Sequence, residues 1–115
     1  YALEPKQRQY QRAVMAAANA RGHLWMRFLN KEKALQAYED GYELARGLAA
    51  TNPDDVQAQR DLATSNGHLG DLQLQNRKVV EALEYFRQML SITLRLVAIA
   101  PDLQAAGPPS PASEA

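Results

Sequence analysis

The sequence predicts an all-α fold built from two copies of one helical hairpin. Three prolines, Pro5, Pro53 and Pro101, follow one another at intervals of 48 residues. Several residues keep the same interval without a gap, namely Gly22 and Gly70, Ala34 and Ala82, and Leu48 and Leu96. Strong helix formers dominate between the prolines, and alternating β patterns are almost absent. A repeat of this length indicates a helical solenoid, an architecture that more often presents a binding surface than an active site.

The repeat divides the chain into four parts. Residues 1–5 match the end of a preceding repeat or a linker, residues 6–53 form repeat 1, and residues 54–101 form repeat 2. Residues 102–115 are rich in Pro, Ser and Ala, which predicts a flexible tail. Because the chain begins with the end of a repeat, we expect it to be a fragment of a longer protein.

Each repeat is expected to contain two long antiparallel helices. The predicted ranges are 7–29 and 31–51 in repeat 1, and 55–76 and 79–100 in repeat 2. Apolar residues recur at intervals of three and four within these ranges, as on one face of a helix. The run Pro53-Asp54-Asp55 ends one helix and supplies an N-cap for the next.

A glycine recurs inside the first helix of each repeat, at Gly22 and Gly70. A glycine within a helix costs about 1 kcal/mol relative to alanine. Its presence at the same position in both repeats therefore predicts a close approach between helices.

Composition excludes several classes of function. The 115 residues carry no net charge, contain no cysteine and are 46% hydrophobic. Zero net charge gives no steering toward nucleic acid or anionic membranes, and no apolar run is long enough to span a bilayer. Without cysteine there are no disulfides or thiolate ligands, and we expect a cytoplasmic protein. The charge distribution, with a basic first third and an acidic middle, predicts ion pairs between neighbouring repeats. The alternative interpretation is a basic patch that binds an acidic partner.

No constellation of residues predicts catalysis, a cofactor or a metal. The two histidines, His23 and His68, are 45 residues apart and so occupy unmatched positions, which favours surface or groove histidines over a metal site. The sequence therefore predicts a protein that is not an enzyme. Among the aromatic residues, Phe28 is expected in the core, whereas Trp25 fits either the core or an aromatic binding patch.

The spacing of small, Ala and aromatic residues resembles the tetratricopeptide repeat. The pattern is Gly22, Ala34 and Tyr38 in repeat 1, and Gly70, Ala82 and Phe86 in repeat 2. The unit is longer than the usual 34-residue module and is similar to bacterial variants with long helices. Arg21 and Gln73 depart from the pattern of the family, where a leucine and an aromatic residue are usual.

The resemblance implies a right-handed superhelix whose first helices line a concave groove that binds a peptide or a partner domain. The groove residues that it implies are Asn19, His23, Met26, Arg27, Asp71 and Gln75. Gly67 and Asp71 occupy two positions of the carboxylate clamp that some relatives use, so the binding of chaperone tails is disfavoured. The expected function is a non-enzymatic protein-binding scaffold within a larger protein.

The last helix carries apolar residues on every side, although the end of a solenoid usually presents a polar face. Met89, Leu94 and Ile99 replace Gly41, Arg46 and Thr51 of repeat 1. Leaving Leu or Ile side chains exposed costs roughly 1.5–3 kcal/mol each. We therefore expect a homodimer or a neighbouring domain to cover this helix, and the alternative is that the tail around Leu103 folds over it. The alternative function is self-association or intramolecular regulation through the last helix.

Overall fold

Four α-helices make up the described part of the chain, which in the computed structural model runs from residue 4 to residue 99. They are α1 (Pro5–Arg27), α2 (Lys31–Thr51), α3 (Val56–Gln75) and α4 (Val79–Ile99). Helix α1 packs on α2, α3 packs on α4, and α2 packs on α3. The all-helical prediction is confirmed for these residues. The predicted tail at 102–115, and residues 1–3 of the predicted preceding repeat, lie outside them.

The connections between helices follow the expected chemistry at the helix starts. Asp55 caps α3, since its carboxylate accepts hydrogen bonds from the backbone N–H groups of Gln57 at 3.0 Å and Ala58 at 3.2 Å. Asn30 caps α2 by accepting from the N–H of Lys33 at 3.1 Å. Side-chain oxygens at these positions satisfy backbone donors that have no partner within the helix. The predicted stop and cap at residues 53–55 are therefore confirmed.

Helices α1 and α3 each end in the same type of tight turn, and neither turn contains glycine. In this turn Leu29 and Arg77 adopt left-handed backbone angles, with φ values of 60° and 63°. Asn30 N–H donates to the Trp25 carbonyl at 2.9 Å, and Lys78 N–H donates to the Gln73 carbonyl at 2.8 Å. This arrangement is the Schellman motif, in which glycine usually takes the left-handed position. The two turns are 48 residues apart, so the sequence repeat is also a repeat of backbone conformation.

The close approach predicted at the two glycines is also observed. A methyl group at Gly22 would lie 2.9 Å from Tyr38 Cζ, and one at Gly70 would lie 2.6 Å from Phe86 Cε1. In each helical pair, the aromatic ring of the second helix therefore rests directly on the glycine of the first. Any larger residue would push the ring away.

One core cluster joins the two helical pairs. Ala34 and Tyr38 of α2 pack with Leu69 and Leu72 of α3, and Trp25 lies against this cluster. The expectation that Phe28 belongs to the core is wrong, because its side chain is 68% exposed. Phe28 is the C-cap residue of α1, where the chain leaves the buried face of the helix.

Candidate binding groove

Helices α1 and α3 lie side by side in the same direction. Arg12 Nε donates to the Asp61 carboxylate at 2.8 Å, and Arg8 lies 3.3 Å from the Asp55 carboxylate. Near the other end of the helices, the rings of His23 and His68 have centroids 4.7 Å apart. The two ion pairs confirm the predicted attraction between the basic first third and the acidic middle of the chain. Together with the histidine contact, they form one surface from the first helices of both pairs.

A cleft of about 270 Å³ opens at the end of this surface. It is lined by side chains from α1, α2 and α3, which we call the α1–α3 cleft: His23, Met26, Tyr38, His68, Asp71, Leu72 and Gln75. Leu72 is buried at its base, whereas His23, Asp71 and Gln75 are exposed. The cleft therefore combines an apolar floor with polar groups at its rim, as is typical of sites that bind a ligand by shape and a few hydrogen bonds.

Three aromatic rings form the wall of the cleft. Tyr38 Oη lies 2.7 Å from His23 Nδ1, a hydrogen bond whose donor depends on the histidine tautomer. The Tyr38 ring stacks on His68 at a centroid distance of 5.2 Å and an interplanar angle of 29°. Gly22 lets the Tyr38 ring approach α1, where it contacts both histidines.

The surroundings of His68 favour its neutral form. Burial lowers the pKa of His68 below its ordinary value, the neighbouring His23 lowers it further, and Asp71 acts in the opposite direction. Burial also raises the pKa of Tyr38, as does the charge of Asp71. His68 Nδ1 is buried and has no hydrogen-bond partner. A neutral imidazole is less costly to bury in this way than a charged one.

The structure brings four of the six predicted groove residues together in the α1–α3 cleft, namely His23, Met26, Asp71 and Gln75. Asn19 lies outside it, with its side chain against Gly41 of α2. Arg27 is exposed at the last residue of α1 and does not line the cleft.

The sequence did not predict that His68 and Tyr38 line the same cleft. His68 lies three residues before the position that matches His23 in the repeat. On parallel neighbouring helices, side chains one turn apart can still meet, because residues three apart share a face. An alignment of the two repeats, residue by residue, therefore does not reveal such a contact.

The predicted docking residues of α4 have different surroundings. Leu94 is 61% exposed. Met89 is half-buried, and its sulfur lies 3.3 Å from the position that a Cβ atom at Gly67 would take. Ile99 is the last residue of α4, and its side chain lies outside what the structure describes.

Two further classes of site are absent from the described residues. Between residues 4 and 99, no group of three or more His, Cys, Asp or Glu side chains is arranged to hold a metal ion. In the same range, none of the helices has both the length and the hydrophobicity required to cross a membrane.

No family model, no curated protein and no solved structure matches this chain.

Proposed function

We propose that the chain is a non-enzymatic protein-binding module that holds a peptide or a partner segment in the α1–α3 cleft. The observation that supports this proposal is the convergence of His23, Met26, Asp71 and Gln75, from two different helices, on one open cleft. These side chains offer hydrogen-bond donors and acceptors around an apolar floor, which suits an extended peptide.

The architecture that we propose is a tetratricopeptide-like solenoid with two repeats, α1–α2 and α3–α4. The support for it is the recurrence of three local features at 48-residue intervals. The prolines, the left-handed turn residues and the contacts between glycine and an aromatic ring all keep this interval. In such an array the first helices share one face, and here that face carries the α1–α3 cleft.

The chemistry of the cleft favours a ligand with basic side chains. Asp71 is the one carboxylate among the described residues that line the cleft, and no Lys or Arg lines it. A hydrogen bond from a Lys or Arg of the ligand to this carboxylate would be charge-assisted, with a net value of about 1.5–3 kcal/mol. Gln75 lies one helical turn further along α3, where it would bind the ligand backbone.

A peptide library displayed on phage and selected against the chain tests this proposal. We expect the selected peptides to be enriched in Lys or Arg. Binding of one such peptide would then be measured by calorimetry for the wild type and for Asp71→Asn. The substitution removes the charge without changing the shape, so we expect the dissociation constant to rise about tenfold or more.

The matched control is Asp54→Asn, which makes the same chemical change at an exposed carboxylate outside the cleft. It should leave the affinity unchanged. A library that yields no binding peptide, or an affinity that responds equally to both substitutions, would rule out the cleft as the binding site.

A further inference from the structure

Helix α4 presents a row of exposed apolar side chains to solvent. We call this row the α4 stripe: Val80, Leu83, Leu90 and Leu94. Its members are separated by three, seven and four residues, so they lie along one face of the helix. Leu90 and Leu94 are 57% and 61% exposed. Arg87 is the one charged residue within this row. Several exposed apolar residues aligned on one face are typical of a contact surface, whereas isolated exposed apolar residues are common on any protein.

A third helical pair stacked in the same way would not cover this stripe completely. Val80 and Leu94 match Glu32 and Arg46 of α2 in the repeat. Glu32 and Arg46 are exposed even though the α3–α4 pair is packed against α2. Leu83 and Leu90 match Leu35 and Tyr42, which pack against the core cluster between the two pairs, so a next repeat would cover these two residues and leave Val80 and Leu94 exposed. The apolar residues left exposed suit an occupant other than the next repeat.

The charges beside the stripe indicate which occupant fits. Glu84 and Arg95 are both exposed and lie along the same edge of the stripe, toward opposite ends of the helix. When two identical helices pack antiparallel, residues on the same edge face each other. Glu84 of one copy would then lie opposite Arg95 of the other, and the symmetry would produce this pair twice.

We propose that the chain forms a homodimer in which the α4 stripes of two copies pack antiparallel, with Glu84 of each copy beside Arg95 of the other. A parallel arrangement is disfavoured because it would place Arg87, which lies within the apolar row, directly against the same residue of the second copy. In the antiparallel arrangement with Glu84 opposite Arg95, the two Arg87 residues are offset along the helix axis by about 7.5 Å. The proposal does not depend on the α1–α3 cleft, since the residues that line the cleft are different.

A charge-exchange experiment tests both the dimer and its direction. Light scattering coupled to size exclusion, over a concentration series, would measure the mass of the wild type, of Glu84→Arg and of Arg95→Glu. Each substitution replaces two attractive pairs by two repulsive ones. We expect each variant to raise the dissociation constant of the dimer about tenfold, because exposed pairs contribute modestly.

Mixing the two variants provides the decisive measurement. A mixed dimer of Glu84→Arg with Arg95→Glu again pairs opposite charges at both positions, so we expect dimer formation to return. The doubly substituted chain should also dimerise like the wild type. Within one helix, Glu84 and Arg95 are about 16 Å apart at 1.5 Å per residue, so contact inside one chain does not explain this recovery.

Leu94→Arg places a charge in the stripe and should leave the protein monomeric. Leu24→Arg is the matched control, since Leu24 is a half-exposed leucine on α1, and it should leave the dimer intact. A wild type that is monomeric at every concentration would overturn the proposal, whether residues 100–115 or another protein covers the stripe. Dimerisation without recovery in the mixed sample would overturn the antiparallel arrangement.

Discussion

Replacing Gly22 by alanine is the sharpest test of how the fold positions the α1–α3 cleft. The added methyl group would lie 2.5 Å from Tyr38 Cδ1 and 2.9 Å from Tyr38 Cζ. Tyr38 has little freedom to move, because it is only 5% exposed and its hydroxyl group is hydrogen-bonded to His23. The ring must therefore shift, or the two helices must separate.

Two effects of opposite sign determine how much Gly22→Ala changes the free energy of unfolding. Alanine is favoured over glycine within a helix by about 1 kcal/mol. Overpacking a well-packed core costs about 1–3 kcal/mol, and loss of the Tyr38–His23 hydrogen bond costs about 1 kcal/mol more. We expect Gly22→Ala to lower the free energy of unfolding by about 2 kcal/mol. For a domain of this size, that change corresponds to a fall in Tm of about 8 °C.

Gly47→Ala is the matched control, because Gly47 also lies within a helix but nothing is within 4 Å of the position that its Cβ atom would take. At this position only the helix preference for alanine over glycine acts, so we expect Gly47→Ala to raise the free energy of unfolding by about 1 kcal/mol. Urea unfolding would measure both variants, and NMR shifts of the His23 and His68 rings would report on the cleft. If Gly22→Ala stabilises the protein as Gly47→Ala does, the proposed role of the glycine contact is refuted.

Two further predictions concern pH and the turns. Because the folded protein lowers the pKa of His68, the unfolded chain takes up a proton first as the pH falls. Stability should be full above about pH 6.5, the ordinary value for histidine, and decrease below it by up to about 1.4 kcal/mol per pH unit. Unfolding curves of the wild type and His68→Gln between pH 8 and about pH 5 would check this, since the variant should lose less stability. Leu29→Gly should raise stability by about 0.5–1 kcal/mol, because the left-handed conformation of Leu29 is costly for any residue with a Cβ atom. Arg77→Gly should do the same in thermal unfolding, and a loss of stability in both variants would contradict this account of the turns.

Most of the fold could be predicted because the residues that start and end a helix lie next to that helix in the sequence. The predicted range of α2 agrees with the structure because Asn30 and Pro53 mark both of its ends. The predicted end of α1 was two residues too late. Neither Phe28 nor Leu29 belongs to the residue types that usually end a helix, so the left-handed turn had no signal in the sequence.

Buried polar residues were a second feature that the sequence did not reveal. Asn66 of α3 is completely buried, with its side-chain amide donating to the Leu62 carbonyl at 3.0 Å. Ser65 beside it is also buried. Helix α3 contacts both α2 and α4, so its buried face is wider than its apolar residues indicate. Periodicity identifies buried positions only where those positions are apolar.

The candidate site could be predicted only in part, because some of its contacts depend on how the helices pack. The resemblance to the tetratricopeptide repeat implied six groove residues, and four of them, His23, Met26, Asp71 and Gln75, line the cleft. The contact between His23 and His68 depends on how two helices lie beside each other, which no single sequence motif encodes. Tyr38 can line the cleft because Gly22, which has no side chain, leaves room for its ring on α1.

The two proposed surfaces would reinforce each other if both proposals hold. An antiparallel dimer through the α4 stripe would carry two α1–α3 clefts related by a two-fold axis. A partner with two matching segments would then bind the second cleft as an intramolecular step, which raises avidity by roughly 10²–10⁴ without any new contact. Leu94→Arg would abolish this gain while leaving the affinity of each cleft unchanged, and Asp71→Asn would weaken each cleft in an intact dimer. Comparing a peptide that carries one segment with a tandem peptide that carries two therefore separates assembly from recognition in one set of titrations.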